Sequence, residues 1–143
     1  WYNMIKVGST IAMEAWDMKY KPNSDWNHAW GAAPANIIPR GLWGIQPKTP
    51  GFGVARIKPQ MGNLKNSEIV VPTIKGQIKA KYKKINNRLT EYIIELPANM
   101  IGEFYIDLSP QDVATLNGEI VNLSFGNIQL NPGVNNIEIR FGF

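Results

Sequence analysis

From Gln77 to Lys83 polar and apolar side chains alternate strictly: Gln, Ile, Lys, Ala, Lys, Tyr, Lys. A side-chain period of two matches the pleat of a half-buried strand and cannot form the apolar stripe of a helix. Asn86-Asn87 supplies a turn, and Leu89-Thr90-Glu91-Tyr92-Ile93-Ile94-Glu95-Leu96 returns along it, so a β-hairpin is predicted. Ser67–Ile74 reads as a preceding strand, in which Pro72 marks an edge or a bulge. Gly102–Leu108, Gly118–Leu123 and Asn136–Phe141 read as later strands, with Asn131-Pro132-Gly133 as a turn. Short strands at regular spacing predict a mainly β chain folded as an antiparallel β-sandwich.

The first part of the chain has a different chemistry. All five tryptophans (Trp1, Trp16, Trp26, Trp30, Trp43) and the only histidine, His28, lie within the first 43 of 143 residues. Two parts are therefore expected, 1–43 and 44–143, the first carrying an aromatic-rich pocket and the second a scaffold. Ser9 or Thr10 is placed to cap a helix beginning at Ile11, and a second helical stretch is expected over Asn27–Ile38, flawed at Pro34. Lys21-Pro22-Asn23-Ser24-Asp25 reads as a loop.

The absence of cysteine excludes disulfides, thiolate metal sites and a cysteine nucleophile. A single histidine excludes a multi-histidine metal centre, and no cofactor is implied. No apolar run approaches the roughly 20 residues that span a bilayer, so no membrane association is expected. No leader pattern follows Trp1, which suggests a chain starting inside a larger protein. The compartment stays open: periplasmic, secreted and cytoplasmic are all compatible.

Lys75, Lys79, Lys81, Lys83, Lys84 and Arg88 form a basic set. The alternation puts Lys79, Lys81 and Lys83 on one strand face opposite Ile78, Ala80 and Tyr82, and Glu91 and Glu95 offer cross-strand partners. No aromatic residue interleaves to stack bases, so this is a solvated face or guarded edge rather than a nucleic-acid surface. Gly51-Phe52-Gly53 lacks the lysine and helix of a phosphate loop and reads as a connector.

Five ordered pieces remain: Ser9-Thr10-Ile11-Ala12-Met13-Glu14-Ala15-Trp16, Asn27-His28-Ala29-Trp30-Gly31-Ala32, Gly41-Leu42-Trp43-Gly44-Ile45-Gln46-Pro47, Pro50-Gly51-Phe52-Gly53 and Ile57-Lys58-Pro59. Together they resemble the end of the catalytic domain of bacterial α-L-rhamnosidases. Ile74-Lys75-Gly76 and Leu96-Pro97-Ala98-Asn99 resemble that family's C-terminal β-domain. The resemblance implies that 1–43 is a helical remnant of an (α/α)6-barrel catalytic domain and 44–143 an accessory sandwich. It implies removal of terminal α-L-rhamnose from glycans or glycosides with inversion, and an upstream catalytic domain of the same parent chain as partner. Inversion uses two carboxyl groups about 6.5–9.5 Å apart, leaving room for the attacking water. The resemblance points to Glu14 as general base and His28 as a sugar contact. Asn27, Trp16 and Trp26 stand beside them as further candidate contacts, since sugar C–H faces stack on indole. Met13 departs from the family, where an aromatic residue commonly precedes the glutamate. The family's general acid belongs to an upstream acidic cluster with no counterpart here.

Glu14 has poor local reasons to be structural. A capping box needs Ser or Thr where Ile11 stands, and an i,i+4 ion pair needs a base where Met18 stands. The alternatives are a carbohydrate-binding sandwich, weakened by the lack of tryptophan after Trp43, and a purely structural β-domain.

Overall fold

A computed structural model of the chain describes residues 1–122 and 126–142. The chain divides into two compact units, Trp1–Ile38 and Pro39–Phe143.

Among its described residues the second unit holds ten strands: β1 (Gln46–Pro47), β2 (Val54–Ile57), β3 (Asn66–Thr73), β4 (Gly76–Lys84), β5 (Leu89–Leu96), β6 (Ile101–Tyr105), β7 (Val113–Leu116), β8 (Glu119–Ile120), β9 (Asn127–Leu130) and β10 (Gly133–Arg140). They form a four-stranded sheet, β1-β2-β6-β9, and a six-stranded sheet, β3-β4-β5-β10-β7-β8. The protein is mainly β, and the core lies between these two sheets. Ile57, Phe104 and Leu130 from the smaller sheet share one buried cluster with Ile78, Ile94 and Ile139 from the larger. Tyr92 and Phe104 bridge the layers edge to face, with ring centroids 4.9 Å apart.

The alternation in β4 has its expected consequence: Ile78, Ala80 and Tyr82 are buried while Lys79, Lys81 and Lys83 face outward. Lys79 pairs with Glu95 across the hairpin at 3.1 Å, but Lys81 turns the other way, to Glu68 of β3 at 3.0 Å. β3, which carries Pro72, is an edge strand of its sheet. One pair departs from the antiparallel expectation, since β2 and β6 run parallel. Parallel neighbours need a long crossover, and here the whole β3-β4-β5 meander of the other sheet serves as one. The strand expected at Gly118–Leu123 is short, Glu119–Ile120, and its Leu123 lies outside the described residues.

Trp43, grouped by sequence with the aromatic segment, is fully buried in this β core. The backbone around it is laced to residues 58–60: Gln60 N–H donates to Leu42 O at 2.7 Å and Lys58 N–H to Gly44 O at 3.3 Å. Gly44 adopts φ +62, and a Cβ there would lie 2.1 Å from the carbonyl oxygen of Lys58. Only glycine accepts both the conformation and the contact.

The first unit contains a short helix α1 (Tyr2–Lys6), a 3-10 turn at Ala29–Ala32 and a second short helix α2 (Ala33–Ile37). The helix expected from Ile11 does not form. Ser9 Oγ donates to the carbonyl of Ile11 rather than capping an N–H, at 2.5 Å. Residues 12–14 instead pair with 25–28, through Glu14 N–H to Asp25 O at 2.9 Å and His28 N–H to Ala12 O at 2.8 Å. Pro34 is no flaw, because it occupies the first turn of α2, where a missing N–H costs nothing.

Two substitutions test this account of the β core. Trp43→Ala should cost about 3–5 kcal/mol by loss of buried area and cavity formation. Gly44→Ala should cost at least about 1–2 kcal/mol from the left-handed backbone alone. Urea unfolding midpoints read both, and a neutral Gly44→Ala would contradict the close approach to Lys58.

Candidate active-site segment

The candidate residues all fall in the first unit. Its loop from residue 12 to residue 28 is closed by polar contacts that converge on Glu14. Oε1 accepts from the Lys21 ammonium and Oε2 from the backbone N–H of Asp25 at 3.3 Å. Ser24, almost fully buried, accepts from the N–H of Ala15 at 3.2 Å and braces the same turn. The Lys21 hydrogen bond holds the Glu14 carboxyl below the usual carboxylate range. The Asp25 N–H and the charges of Lys21 and His28 act in the same direction, while desolvation opposes them. Glu14 is thus an ionised carboxylate with a side chain only 13% exposed.

A hollow beside it is lined by Trp1, Met4, Met13, Glu14, Trp16 and Trp30. Trp1 and Trp16 meet edge to face at 4.4 Å, and Trp1 Nε1 donates to Gly31 O. Met13, the departure from the family pattern, is buried and lines this hollow. Its N–H points at the sulfur of Met4, 3.4 Å away. A carboxylate acceptor set among indole faces can bind and orient a hydroxylated ring, or take a proton from water.

Glu14 and Trp16 are brought together at this hollow. His28 does not line it. The His28 ring stacks on Trp30 at 4.4 Å, and its Nδ1 is buried with no hydrogen-bond partner among the described residues. Trp26 is 46% exposed, and Asn27 is exposed beside it; neither lines the hollow. Sequence reasoning missed Trp1, Met4 and Trp30 as lining residues. It also missed Lys21, seven residues from Glu14, because a loop closure and not a helix brings the two together.

The family model for the bacterial alpha-L-rhamnosidase C-terminal domain matches residues 44–120, just over half of the chain. The chain belongs to that family. A search of curated proteins finds no match. Among solved structures, the chain resembles the alpha-L-rhamnosidase from Dictyoglumus thermophilum, with a TM-score of 0.77 and 22% identity over 96% of this chain and 17% of that one. It also resembles the Streptomyces avermitilis enzyme complexed with L-rhamnose, with a TM-score of 0.69 and 19% identity over 95% of this chain and 14% of that one. The Aspergillus terreus enzyme gives a TM-score of 0.71 and 16% identity over 96% of this chain and 15% of that one. At these identities the likeness shows the fold. The chain spans 14–17% of the length of these solved enzymes.

The Glu14 contacts make a pH prediction with a definite sign. A depressed carboxyl pKa contributes stability above the unfolded value, about 4.3, which is lost as pH falls through the lower folded value. Tryptophan emission of the chain, followed from pH 7 downward, should therefore show an acid transition that Glu14→Gln removes, the variant being loosened already at neutral pH. Superimposable profiles would mean that Glu14 does not hold this loop.

Proposed function

We propose that the chain is the C-terminal segment of an inverting α-L-rhamnosidase, with the first unit, Trp1–Ile38, closing the catalytic helical barrel and the second forming its accessory sandwich. In this reading Glu14 is the general base, and His28, Asn27, Trp16 and Trp26 are sugar contacts. The substrate is a terminal α-L-rhamnosyl group on a glycan or glycoside, and the upstream catalytic domain of the parent chain is the partner. The observation that carries the reading is the ionised Glu14 carboxylate set in an indole-lined hollow within a member of this family.

A base that activates water must be deprotonated when substrate arrives, and the Lys21 and Asp25 contacts keep Glu14 so. The same contacts fix the direction of the carboxylate, so water approaching it meets a positioned acceptor. The Nδ1 of His28 is buried without a hydrogen-bond partner among the described residues, and a polar atom left so calls for a partner, which in this reading is a sugar hydroxyl. The other acidic residues of the first unit are Asp17 and Asp25. Asp17 accepts from the N–H of Lys19 at 3.1 Å in a local turn, and Asp25 gives its backbone to Glu14. Neither is set up to protonate a leaving group, so the general acid comes from the upstream domain.

Two measurements follow. The 143-residue chain alone should not hydrolyse an aryl α-L-rhamnoside, since the acid is absent. In the parent enzyme Glu14→Gln should lower kcat by about 10²–10⁴-fold with much less effect on substrate binding, whereas His28→Ala should weaken binding. A Glu14→Gln enzyme with near-normal kcat would remove the base assignment.

A further inference from the structure

The basic residues of the second unit are not evenly spread. A groove along β3 and β4 is lined by Lys65, Lys81, Lys83 and Lys84 against Glu68 and Glu91. Lys81 is neutralised by Glu68 at 3.0 Å, and Glu91 sits opposite Lys83 in the strand register without closing an ion pair among the described residues. Lys65 and Lys84 are held side by side by the Lys84 N–H donating to Lys65 O at 2.8 Å. Both ammonium groups, and that of Lys83, are exposed and lack a carboxylate partner among the described residues. A neighbouring hollow adds Arg88 and Arg140 at the same end of the sheet, with Arg140 paired to Glu138 at 3.3 Å. Much of the chain's net charge of +4 thus collects at one end of one sheet. The smaller sheet behaves differently, since its Glu103 is engaged by both Lys48 and Tyr105.

We propose that this groove binds the carboxylates of an acidic polysaccharide, at a subsite separate from the Glu14 hollow. Repeated negative charge fits three ammonium groups, of Lys65, Lys83 and Lys84, gathered at one end of β3 and β4 without a carboxylate partner among the described residues, and their summed field raises its local concentration. Asn66 offers a polar group to hydroxyls, and the half-exposed Ile93 an apolar face to sugar C–H groups. A polynucleotide is disfavoured because the groove exposes no aromatic platform: Tyr82, its aromatic residue, is only 6% exposed. The choice of a saccharide as the polyanion rests on the function proposed above; the charge asymmetry does not.

Affinity electrophoresis of the 143-residue chain in gels containing polygalacturonate tests this. Retardation is expected, with none in a neutral galactan gel, and half-molar salt should abolish it as screening shortens the electrostatic range to a few ångströms. Lys65→Gln/Lys83→Gln/Lys84→Gln should weaken binding at least ten-fold while leaving the unfolding midpoint unchanged, since all three side chains are exposed. The same triple variant in the parent enzyme should keep full activity on a neutral aryl rhamnoside, which separates this site from the catalytic reading. No retardation by polygalacturonate, retardation that survives the triple substitution, or tighter binding of single-stranded DNA of equal charge would each overturn the proposal.

Discussion

One buried indole ties the β unit together. Trp43 precedes β1 and is laced through its neighbours to the stretch after β2, so its backbone belongs to the smaller sheet. Its ring lies in the shared core, and its Nε1 donates to Ser67 Oγ of β3, at 3.1 Å, in the larger sheet. A buried indole N–H needs a partner, and the one it finds fixes where the edge strand sits over the opposite layer. Gly44 makes this possible by letting the backbone close on Lys58 without a side chain between them. β2, laced to this segment, pairs in parallel with β6, and the β3-β4-β5 meander of the larger sheet lies between the two in the chain.

The hairpin and its flanking strands were legible in the sequence because one face is buried and the other wet, which writes a period of two into the residues. β5 runs from Leu89 to Leu96 as the pattern predicts. The shorter strands were not, since β2, β7 and β9 have four residues each, too few to display a period. One further signal was present: Asn117 and Gly118 both take positive φ, at 53 and 88, in the tight turn joining β7 to β8. Asn-Gly is a strong short-range hairpin signal, and it places a strand on each side of that turn. Reading Gly118 as a strand start hid the strand before it.

In the first unit the sequence pointed to residues without giving their surroundings. The pieces containing Glu14 and His28 are conspicuous, yet the contacts that define Glu14 come from Lys21 and Asp25, across a loop that no periodicity describes. The search for structural partners at helical spacing failed because residues 11–16 are not a helix. Trp43 was grouped with Trp1, Trp16, Trp26 and Trp30 by position alone, although its neighbours Gly44, Ile45 and Gln46 already belong to the β pattern. Aromatic content marks a boundary coarsely, and burial decides which side a residue is on.

The two units treat their apolar residues differently, and this bears on the proposed function. In the β unit Trp43, Phe104 and the central isoleucines are fully enclosed. In the first unit Trp16, Trp26 and Trp30 stay 53, 46 and 68% exposed, with Tyr2, Ile5 and Ile11 exposed as well. An isolated small unit gains little by ordering indoles it leaves half in water, since burial of aromatic area is the main stabilising term available to it. Surfaces of that kind mark contact with a ligand or with more protein. On the proposed reading both apply, with the sugar meeting the indoles around Glu14 and barrel helices of the parent chain covering the remainder. Inverting hydrolysis places its two carboxyl groups on opposite sides of the sugar. A unit that supplies the base from one wall of the pocket must therefore leave that wall open toward the element that supplies the acid.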